Sequence, residues 1–297
     1  MIKKTEQQKL RQHNLAPSKR LGQNFLINPH TAESIVDRAA VNRDDVIIEV
    51  GVGLGALTAP LAEQAKKVIG IEIDSGLIRY HSEENDLPEN VSLIHGDILR
   101  ANFADLVQQS GAKLKIIANL PYSISNPFIF KLVDNSEYID WVVVMLQKEV
   151  AERLMSAPSS KEYGIPTILL GSCARVNKIM LIRPQEFHPQ PKIDSLVIRL
   201  DFYSQPHLEL NLPSFDPDLF RRVVRAGFAK RRKTLLNNLS DFCTGFGEKK
   251  RAKIAAAEAI RAAGLDAGER AENLTLLDFV HLTKAIAEMM TDSKEAL

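Results

Sequence analysis

Residues 47–58 read IIEVGVGLGALT, and this stretch decides the fold class. An apolar run ends beside an acid, three glycines follow at alternate positions, and a helix-forming segment begins at once. Glycines in such a loop let the backbone turn sharply and approach a ligand closely. A strand, a glycine loop and a helix in this order indicate the first unit of a nucleotide-binding α/β fold.

Short β-rich runs alternate with helical segments over the first two thirds of the chain. Continuous runs of Val, Ile and Leu are typical of parallel strands covered on both faces, so we expect a Rossmann-like sheet of seven mostly parallel strands. The predicted strands are 45–50, 67–73, 91–97, 115–120, 141–146, 167–176 and 195–202.

The sequence pattern changes after about residue 203, where a proline-containing linker leads into helical stretches. These stretches are 217–239, 248–263 and 274–289. We therefore expect an α/β domain in residues 1–203, with a basic N-terminal extension, and a small all-helical domain in residues 204–297.

Acids at the ends of the first three strands suggest the class of ligand. Glu72 ends the second strand, 21 residues after Gly51, where a carboxylate can accept both hydroxyls of a ribose. A dinucleotide loop has the pattern G-x-G-x-x-G, but here the third glycine comes one residue early, and Glu49 would repel a pyrophosphate. Glu49 suits a ligand with a positive end, such as S-adenosylmethionine. Asp97, after the third strand, could accept a hydrogen bond from adenine or could cap a helix.

The fourth strand ends in the tetrapeptide Asn119-Leu120-Pro121-Tyr122. Ligands of open α/β sheets bind beyond the carboxyl ends of the strands. The side-chain carbonyl of Asn119 and the backbone carbonyl of Leu120, aimed by Pro121, could accept both N–H bonds of an adenine amino group. This would free the nitrogen lone pair for methyl transfer while Tyr122 stacks on the base. The alternative is a turn that closes a strand.

Positive charge is concentrated in two stretches although the formal net charge is only +1. Residues 1–20 contain six Lys or Arg and one Glu, and residues 219–236 contain seven Lys or Arg and no acid. Apolar residues interleave with the second set, which predicts a packed helix or helix pair that holds its basic side chains toward phosphates. A solvated surface is the alternative for either stretch. The predicted RNA-binding residues are Arg221, Arg222, Arg225, Arg231, Arg232 and Lys233.

The two cysteines, Cys173 and Cys243, are far apart and predict neither a disulfide framework nor a zinc site, so we expect no metal. No apolar run is long enough to span a bilayer, and the N-terminal residues lack the apolar segment of a signal peptide. We therefore expect a cytoplasmic monomer without a membrane partner.

Motifs along nearly the whole chain resemble those of the ribosomal RNA adenine dimethylases. They are RLGQNFL (20–26), EVGVGLG (49–55), ANLPY (118–122), MLQKEVAERL (145–154), FHPQPKIDS (187–195), RRKTLLNNL (231–239) and RAENLTLLDF (270–279). The resemblance implies an S-adenosylmethionine-dependent methyltransferase domain joined to a helical domain. It also implies N6,N6-dimethylation of two adjacent adenosines near the 3′ end of 16S rRNA, in the small (30S) ribosomal subunit or its precursor, as a step of ribosome biogenesis.

The resemblance assigns functional residues to this chain. Phe187 matches an aromatic residue that lines the target-base pocket beside residues 119–122. The cofactor contacts fall on Asn24, Leu26, Gly51, Glu72, Asp97 and Asn119.

Three other functions compete with this interpretation. A non-catalytic RNA-binding assembly factor would keep the basic helix but would not need Asn119 and Tyr122. A large-subunit methylase that confers antibiotic resistance shares the core motifs, but its helical domain lacks the pattern of residues 231–239. An NAD-dependent oxidoreductase would need the other glycine spacing.

Overall fold

The computed structural model describes residues 17–18, 21–230, 232–243 and 249–295. Their contacts divide the chain into two compact units. The first unit contains Met1–Glu152 and Arg175–Ser204, and the second contains Arg153–Ala174 and Gln205–Leu297. The assignment of residues 1–203 to catalysis and 204–297 to RNA binding stays a prediction, and the contacts add that residues 153–174 pack with the helical unit.

A seven-stranded sheet forms the centre of the first unit. Its strands are β2 (Val46–Val50), β3 (Lys67–Glu72), β4 (Val91–His95), β5 (Leu114–Asn119), β6 (Ile139–Gln147), β7 (Ala174–Ile182) and β9 (Ser195–Phe202). Their order in the sheet is β4-β3-β2-β5-β6-β9-β7. The pairings of β2 through β6 with one another are parallel, and β9 runs antiparallel to β6. The predicted mostly parallel sheet of seven strands is confirmed.

The register of the parallel strands brings their carboxyl ends to one edge of the sheet. Val50 pairs with Ile71 and Ala118, so the residues that follow β2 lie between the ends of β3 and β5. Helices connect the parallel strands, as such crossovers require. Helix α1 (Pro29–Ala39) precedes β2. The connecting helices are α2 (Thr58–Gln64), α3 (Ser75–Glu84), α4 (Phe103–Ser110) and α5 (Ser125–Asp134), and α6 (Lys148–Leu154) follows β6.

Side-chain caps fix where several of these helices begin. Asn28, Asp74 and Asn102 each precede a helix and accept a hydrogen bond from the backbone N–H two residues later. Such caps satisfy N–H groups that have no partner inside the helix. The cap at Asp74 matters for the site, because it places the start of α3 directly beyond the end of β3.

The prediction of a strand over residues 167–176 is wrong. Ile165–Gly171 forms a helix, α7, and the seventh strand of the sheet is Ala174–Ile182 instead. Pro166 occupies the first turn of α7, where its missing N–H costs nothing, and Ile168, Leu169 and Leu170 are buried. An apolar run of this length does not distinguish a buried strand from a buried helix.

The second unit is helical. Besides α7 it contains α8 (Pro206–Glu209), α9 (Pro217–Gly227), α10 (Leu235–Cys243), α11 (Lys249–Ala262) and α12 (Leu276–Glu295). The predicted stretch 217–239 is thus a helix pair. Asp216 caps α9 by accepting from the backbone N–H groups of Asp218 and Leu219. Asn238 holds the two helices together, since its amide nitrogen donates to the carbonyls of Gly227 and Lys230.

An aromatic contact and a tyrosine hydroxyl fix the core of the second unit. The rings of Phe228 and Phe279 stack with their centroids 6.0 Å apart, and the Tyr163 hydroxyl donates to the carbonyl of Leu274 over 2.8 Å. The second contact ties residues 153–174 to the start of α12. Within the part of the chain that the structure describes, no helix is both long and apolar enough to cross a membrane.

Candidate active site

One cavity at the carboxyl edge of the sheet collects the predicted cofactor and catalytic residues. All ten of them line it: Asn24, Leu26, Gly51, Glu72, Asp97, Asn119, Leu120, Pro121, Tyr122 and Phe187. They come from six separate segments of the first unit. Their convergence is a property of the fold, because the strands β2, β3, β4 and β5 are parallel neighbours and end at the same edge.

The glycine loop after β2 forms one wall of the cavity. Gly51, Gly53 and Gly55 all have positive φ angles, of 80°, 59° and 86°. Gly51 has a second constraint, because a Cβ atom there would lie 2.6 Å from the backbone carbonyl oxygen of Asn119. The loop therefore rests directly on the end of β5.

The carboxylate of Glu72 is held by the loop itself. The backbone N–H of Gly53 donates to Oε2 over 3.0 Å, and the N–H of Asp74 donates to Oε1 over 2.9 Å. Glu72 is 4% exposed, and burial raises the pKa of its carboxyl above the ordinary value. The two backbone hydrogen bonds offset only part of that rise. Each oxygen keeps a second lone pair, so the carboxylate can still accept hydroxyl donors from a ligand.

Glu49 is a buried carboxyl that also lines the cavity. It is 0% exposed, and neither of its oxygens has a hydrogen-bond partner. Burial raises the pKa of Glu49 to about 8, and the charge of Glu72 adds to the rise. The Thr58 hydroxyl is near enough to lower this pKa but makes no hydrogen bond in the structure. A buried acceptor without a partner costs free energy, which a cationic ligand would recover.

Asp97 lies after β4 and lines the cavity, and it caps no helix, because the N-cap of α4 is Asn102. Its Oδ1 atom accepts a hydrogen bond from the backbone N–H of Leu99 over 2.9 Å, which closes a turn. The side chain stays 29% exposed and also lines the cavity. Capping the turn and accepting from a ligand use different lone pairs, so the two roles are compatible.

Residues 119–122 form the corner after β5, and all four are predicted catalytic residues. Asn119 is half-buried at the strand end, and Leu120 is 4% exposed. Tyr122 begins a short 3₁₀ turn that leads into α5. The Tyr122 hydroxyl forms a hydrogen bond of 2.7 Å with Oγ of Ser195, which is 0% exposed. The phenol is therefore fixed at both ends, by the backbone turn and by β9.

A two-stranded pairing brings the remaining predicted residues to the cavity. β1 (Phe25–Leu26) pairs antiparallel with β8 (Phe187–His188), and Leu26 lies opposite Phe187. Both side chains are almost fully buried, at 1% and 4% exposed. This pairing joins two segments that are far apart in the sequence, and it closes the cavity next to Asn24.

Comparison with known proteins identifies the family. The sequence pattern described as ribosomal RNA adenine dimethylase matches residues 15–287. The chain belongs to this family. Two curated relatives carry the name ribosomal RNA small subunit methyltransferase A. The protein of Desulfotalea psychrophila is 52% identical over 96% of this chain and 97% of its own. The protein of Syntrophus aciditrophicus is 42% identical over 78% of this chain and 82% of its own.

Two solved structures are also similar to this adenine dimethylase. A dimethyladenosine transferase from Plasmodium falciparum is 26% identical, with a TM-score of 0.72 over 91% of this chain and 98% of its own. The 23S rRNA methyltransferase ErmE is 20% identical, with a TM-score of 0.62 over 89% of this chain and 100% of its own. The second likeness concerns the fold alone. The methyltransferase fold and the enzymatic nature predicted from the sequence are confirmed.

The predicted RNA-binding residues of the dimethylase lie in the helical unit and differ in their surroundings. Arg221 forms an ion pair with Asp218, and the Arg222 guanidinium lies 5.3 Å from the ring centroid of Phe242. Arg225, Arg232 and Lys233 are exposed, and Arg231 lies outside the described residues. Contact with RNA stays a prediction for each of them.

Some residues that shape the dimethylase cavity were not predicted. Ser195 stands inside the motif FHPQPKIDS, but nothing in that motif indicates a partner 73 residues earlier. Gln23, in the motif RLGQNFL, donates from Nε2 to Oδ2 of Asp74 over 2.8 Å and so links the N-terminal segment to α3. The contacts of both residues depend on the fold and have no local sequence signal.

Proposed function

We propose that the protein transfers methyl groups from S-adenosylmethionine to two adjacent adenosines near the 3′ end of 16S rRNA, two methyl groups to each N6. The substrate is the small ribosomal subunit or its precursor, so the protein acts in the cytoplasm. The observation that carries the proposal is the cavity in which four of the family motifs converge, with the Asn119 corner beside the glycine loop.

The residues of the cavity fit S-adenosylmethionine by their chemistry. The two oxygens of Glu49 are buried and unpartnered, and they suit the positive methionine end of the molecule. Glu72 is placed to accept the ribose hydroxyls, and Asp97 to accept from the adenine amino group. Gly51 lets the glycine loop lie directly against the end of β5, because a Cβ atom there would lie 2.6 Å from the Asn119 carbonyl oxygen. Bound S-adenosylmethionine supplies an electrophilic methyl group.

The chain then has to prepare the target nitrogen. The exocyclic nitrogen of adenine is a poor nucleophile because its lone pair is delocalised into the ring. The carbonyls of Asn119 and Leu120 accept its two N–H bonds, which favours a tetrahedral nitrogen with a localised lone pair. Tyr122 and Phe187 hold the base by stacking, and fixed positioning contributes much of the rate.

The helical unit supplies the contacts to the RNA backbone in this proposal. Arg225, Arg232 and Lys233 are exposed cations on or beside helices whose other faces are buried. Phosphate contacts give most of the affinity for RNA and orient it, while the cavity selects the base. We expect the protein to act as a monomer.

One experiment separates this proposal from its rivals. The protein is incubated with methyl-labelled S-adenosylmethionine and either small or large ribosomal subunits that lack the modification, and the label is mapped. We expect label on two adjacent adenosines of the small-subunit RNA. Label on large-subunit RNA would favour the resistance-type methylase. Binding to small subunits without any label would favour a non-catalytic assembly factor.

The cofactor assignment has its own test. Replacing Glu72 with alanine should weaken S-adenosylmethionine binding by about 1.5–3 kcal/mol, as expected for lost hydrogen bonds to a charged group. Calorimetry measures this directly, and NAD is the control ligand that should not bind. An unchanged affinity would remove Glu72 from the cofactor site.

A further inference from the structure

His81 is a buried side chain outside the cavity that contacts the glycine loop. It lies near the end of α3 and is 3% exposed. Its Nε2 atom is 2.9 Å from the backbone carbonyl oxygen of Gly53, and its Nδ1 atom is 2.8 Å from Oδ1 of Asp86. A Cβ atom at Gly55 would lie 3.7 Å from Cε1 of His81, so the ring also packs on the loop.

Both partners of the His81 ring are hydrogen-bond acceptors. A carbonyl and a carboxylate each require an N–H donor, so both bonds form only when the ring carries a proton on each nitrogen. Asp86 supports that state with its negative charge, and the Tyr80 hydroxyl donates to its other oxygen over 3.2 Å. The Tyr80 ring meets the His81 ring edge-on, with centroids 4.9 Å apart.

The peptide groups at Gly53 are consequently held from two sides. Its N–H donates to Glu72 and its carbonyl accepts from His81. Within the described part of the chain, Asp86 and Tyr80 contact the His81 ring, and the Glu72 carboxyl accepts from the Gly53 N–H. Gly53 lines the cavity, so its orientation sets one wall of the cofactor site.

We propose that His81 is a positioning residue that fixes the glycine loop for S-adenosylmethionine through the Gly53 carbonyl. The proposal rests on the proposed function, since it concerns the support of the same cofactor site. Without a donor at the position of Nε2, the Gly53 carbonyl loses its partner, and the Gly53 residue is held only through its N–H.

Two substitutions separate this role from simple packing. Asparagine at position 81 can place a polar group where Nδ1 was but cannot reach Gly53. Glutamine can place its amide nitrogen near the position of Nε2 and can donate to the same carbonyl. His81→Asn should therefore weaken binding, and His81→Gln should preserve it. His30→Asn is the matched control, because His30 is 93% exposed on α1.

The test is the dissociation constant of S-adenosylmethionine, measured by calorimetry at one fixed pH. The value for His81→Asn should be about tenfold above the wild-type value. The values for His81→Gln and for the control His30→Asn should equal the wild-type value.

The outcomes are distinct. A His81→Asn protein that binds S-adenosylmethionine like the wild type would overturn the proposal. So would a His81→Gln protein that binds as poorly as His81→Asn. If His81→Asn does not fold, His81→Gln carries the test alone, and a dissociation constant about tenfold above the wild-type value would overturn the proposal. A wild-type protein that binds no S-adenosylmethionine would instead refute the proposed function.

Discussion

The buried carboxyl of Glu49 gives the prediction with the largest expected effect. Its pKa rises from 4.5 to about 8 in the folded protein, mainly because burial removes water from the charged form. This rise corresponds to a difference of at most about 5 kcal/mol between the protonated and ionised states. At neutral pH, Glu49 of the unliganded protein therefore carries its proton.

The sign of the effect on stability follows from the proton balance. The folded state binds this proton more tightly than the unfolded state, so the contribution of Glu49 to stability is fully present below about pH 4.5. It is lost as the pH rises through about 8. In Glu49→Gln the group does not titrate. As the pH rises between these values, the free energy of unfolding of the variant should therefore increase relative to that of the wild type, by at most about 5 kcal/mol.

Urea unfolding at a series of pH values measures this difference. Glu63→Gln is the matched control, because Glu63 is an exposed glutamate on α2 and its variant should track the wild type. Curves for wild type and Glu49→Gln that stay parallel from about pH 5 to about pH 9 would refute the reasoning. They would mean that Glu49 is ionised with an ordinary pKa despite its burial.

Because the pKa of Glu49 is raised, we expect this carboxyl to release its proton when the cofactor binds. A cation beside Glu49 favours the ionised carboxylate, so S-adenosylmethionine should displace a proton near pH 7. Calorimetry in buffers of different ionisation enthalpy should show release approaching one proton in the wild type and a smaller release in Glu49→Gln. Equal proton release by both proteins would show that Glu49 does not lie beside the positive end of the ligand.

Three further predictions concern catalysis and RNA binding. Asn119→Ala should lower kcat by about a hundredfold or more at saturating S-adenosylmethionine, while filter binding shows unchanged RNA affinity. Tyr122→Phe and Ser195→Ala should each lower kcat/KM by about tenfold or less. The double variant should lose no more activity than either single variant, because both substitutions remove the same hydrogen bond. Additive losses would contradict this. Replacing Arg232 and Lys233 with alanine should weaken RNA binding and lower its log–log salt slope by about one per lost contact, and a wild-type slope would leave a solvated surface as the better interpretation.

Local sequence was sufficient for those parts of the site whose geometry is set by the strand ends. The alternating glycines and the acids Glu49 and Glu72 follow apolar runs, and parallel strands necessarily bring such positions to one edge. The position of Asn119 followed from the same argument. These predictions needed only the position at which each strand ends and the expectation of a mostly parallel sheet.

Other parts of the site depend on contacts that no local pattern encodes. Asn24, Leu26 and Phe187 were assigned through family resemblance, because the pairing of β1 with β8 joins segments more than 150 residues apart. The incorrect prediction of a strand over 167–176 has the same cause. The apolar residues of this stretch are compatible with a buried helix as well as with a buried strand, and only packing within the helical unit decides between the two.

The glycine at position 51 shows how such long-range contacts tie cofactor binding to catalysis. Its φ angle of 80° would favour glycine in any protein. A separate reason excludes other residues, because their Cβ atom would lie only 2.6 Å from the backbone carbonyl oxygen of Asn119. The second constraint comes from a residue 68 positions later, at the corner that we propose holds the target adenine. Since the loop and the corner touch through backbone atoms, a shift of one moves the other. Substitutions on the two sides of this contact should therefore be non-additive in their effects on methyl transfer, although in the proposal one side faces the cofactor and the other the RNA.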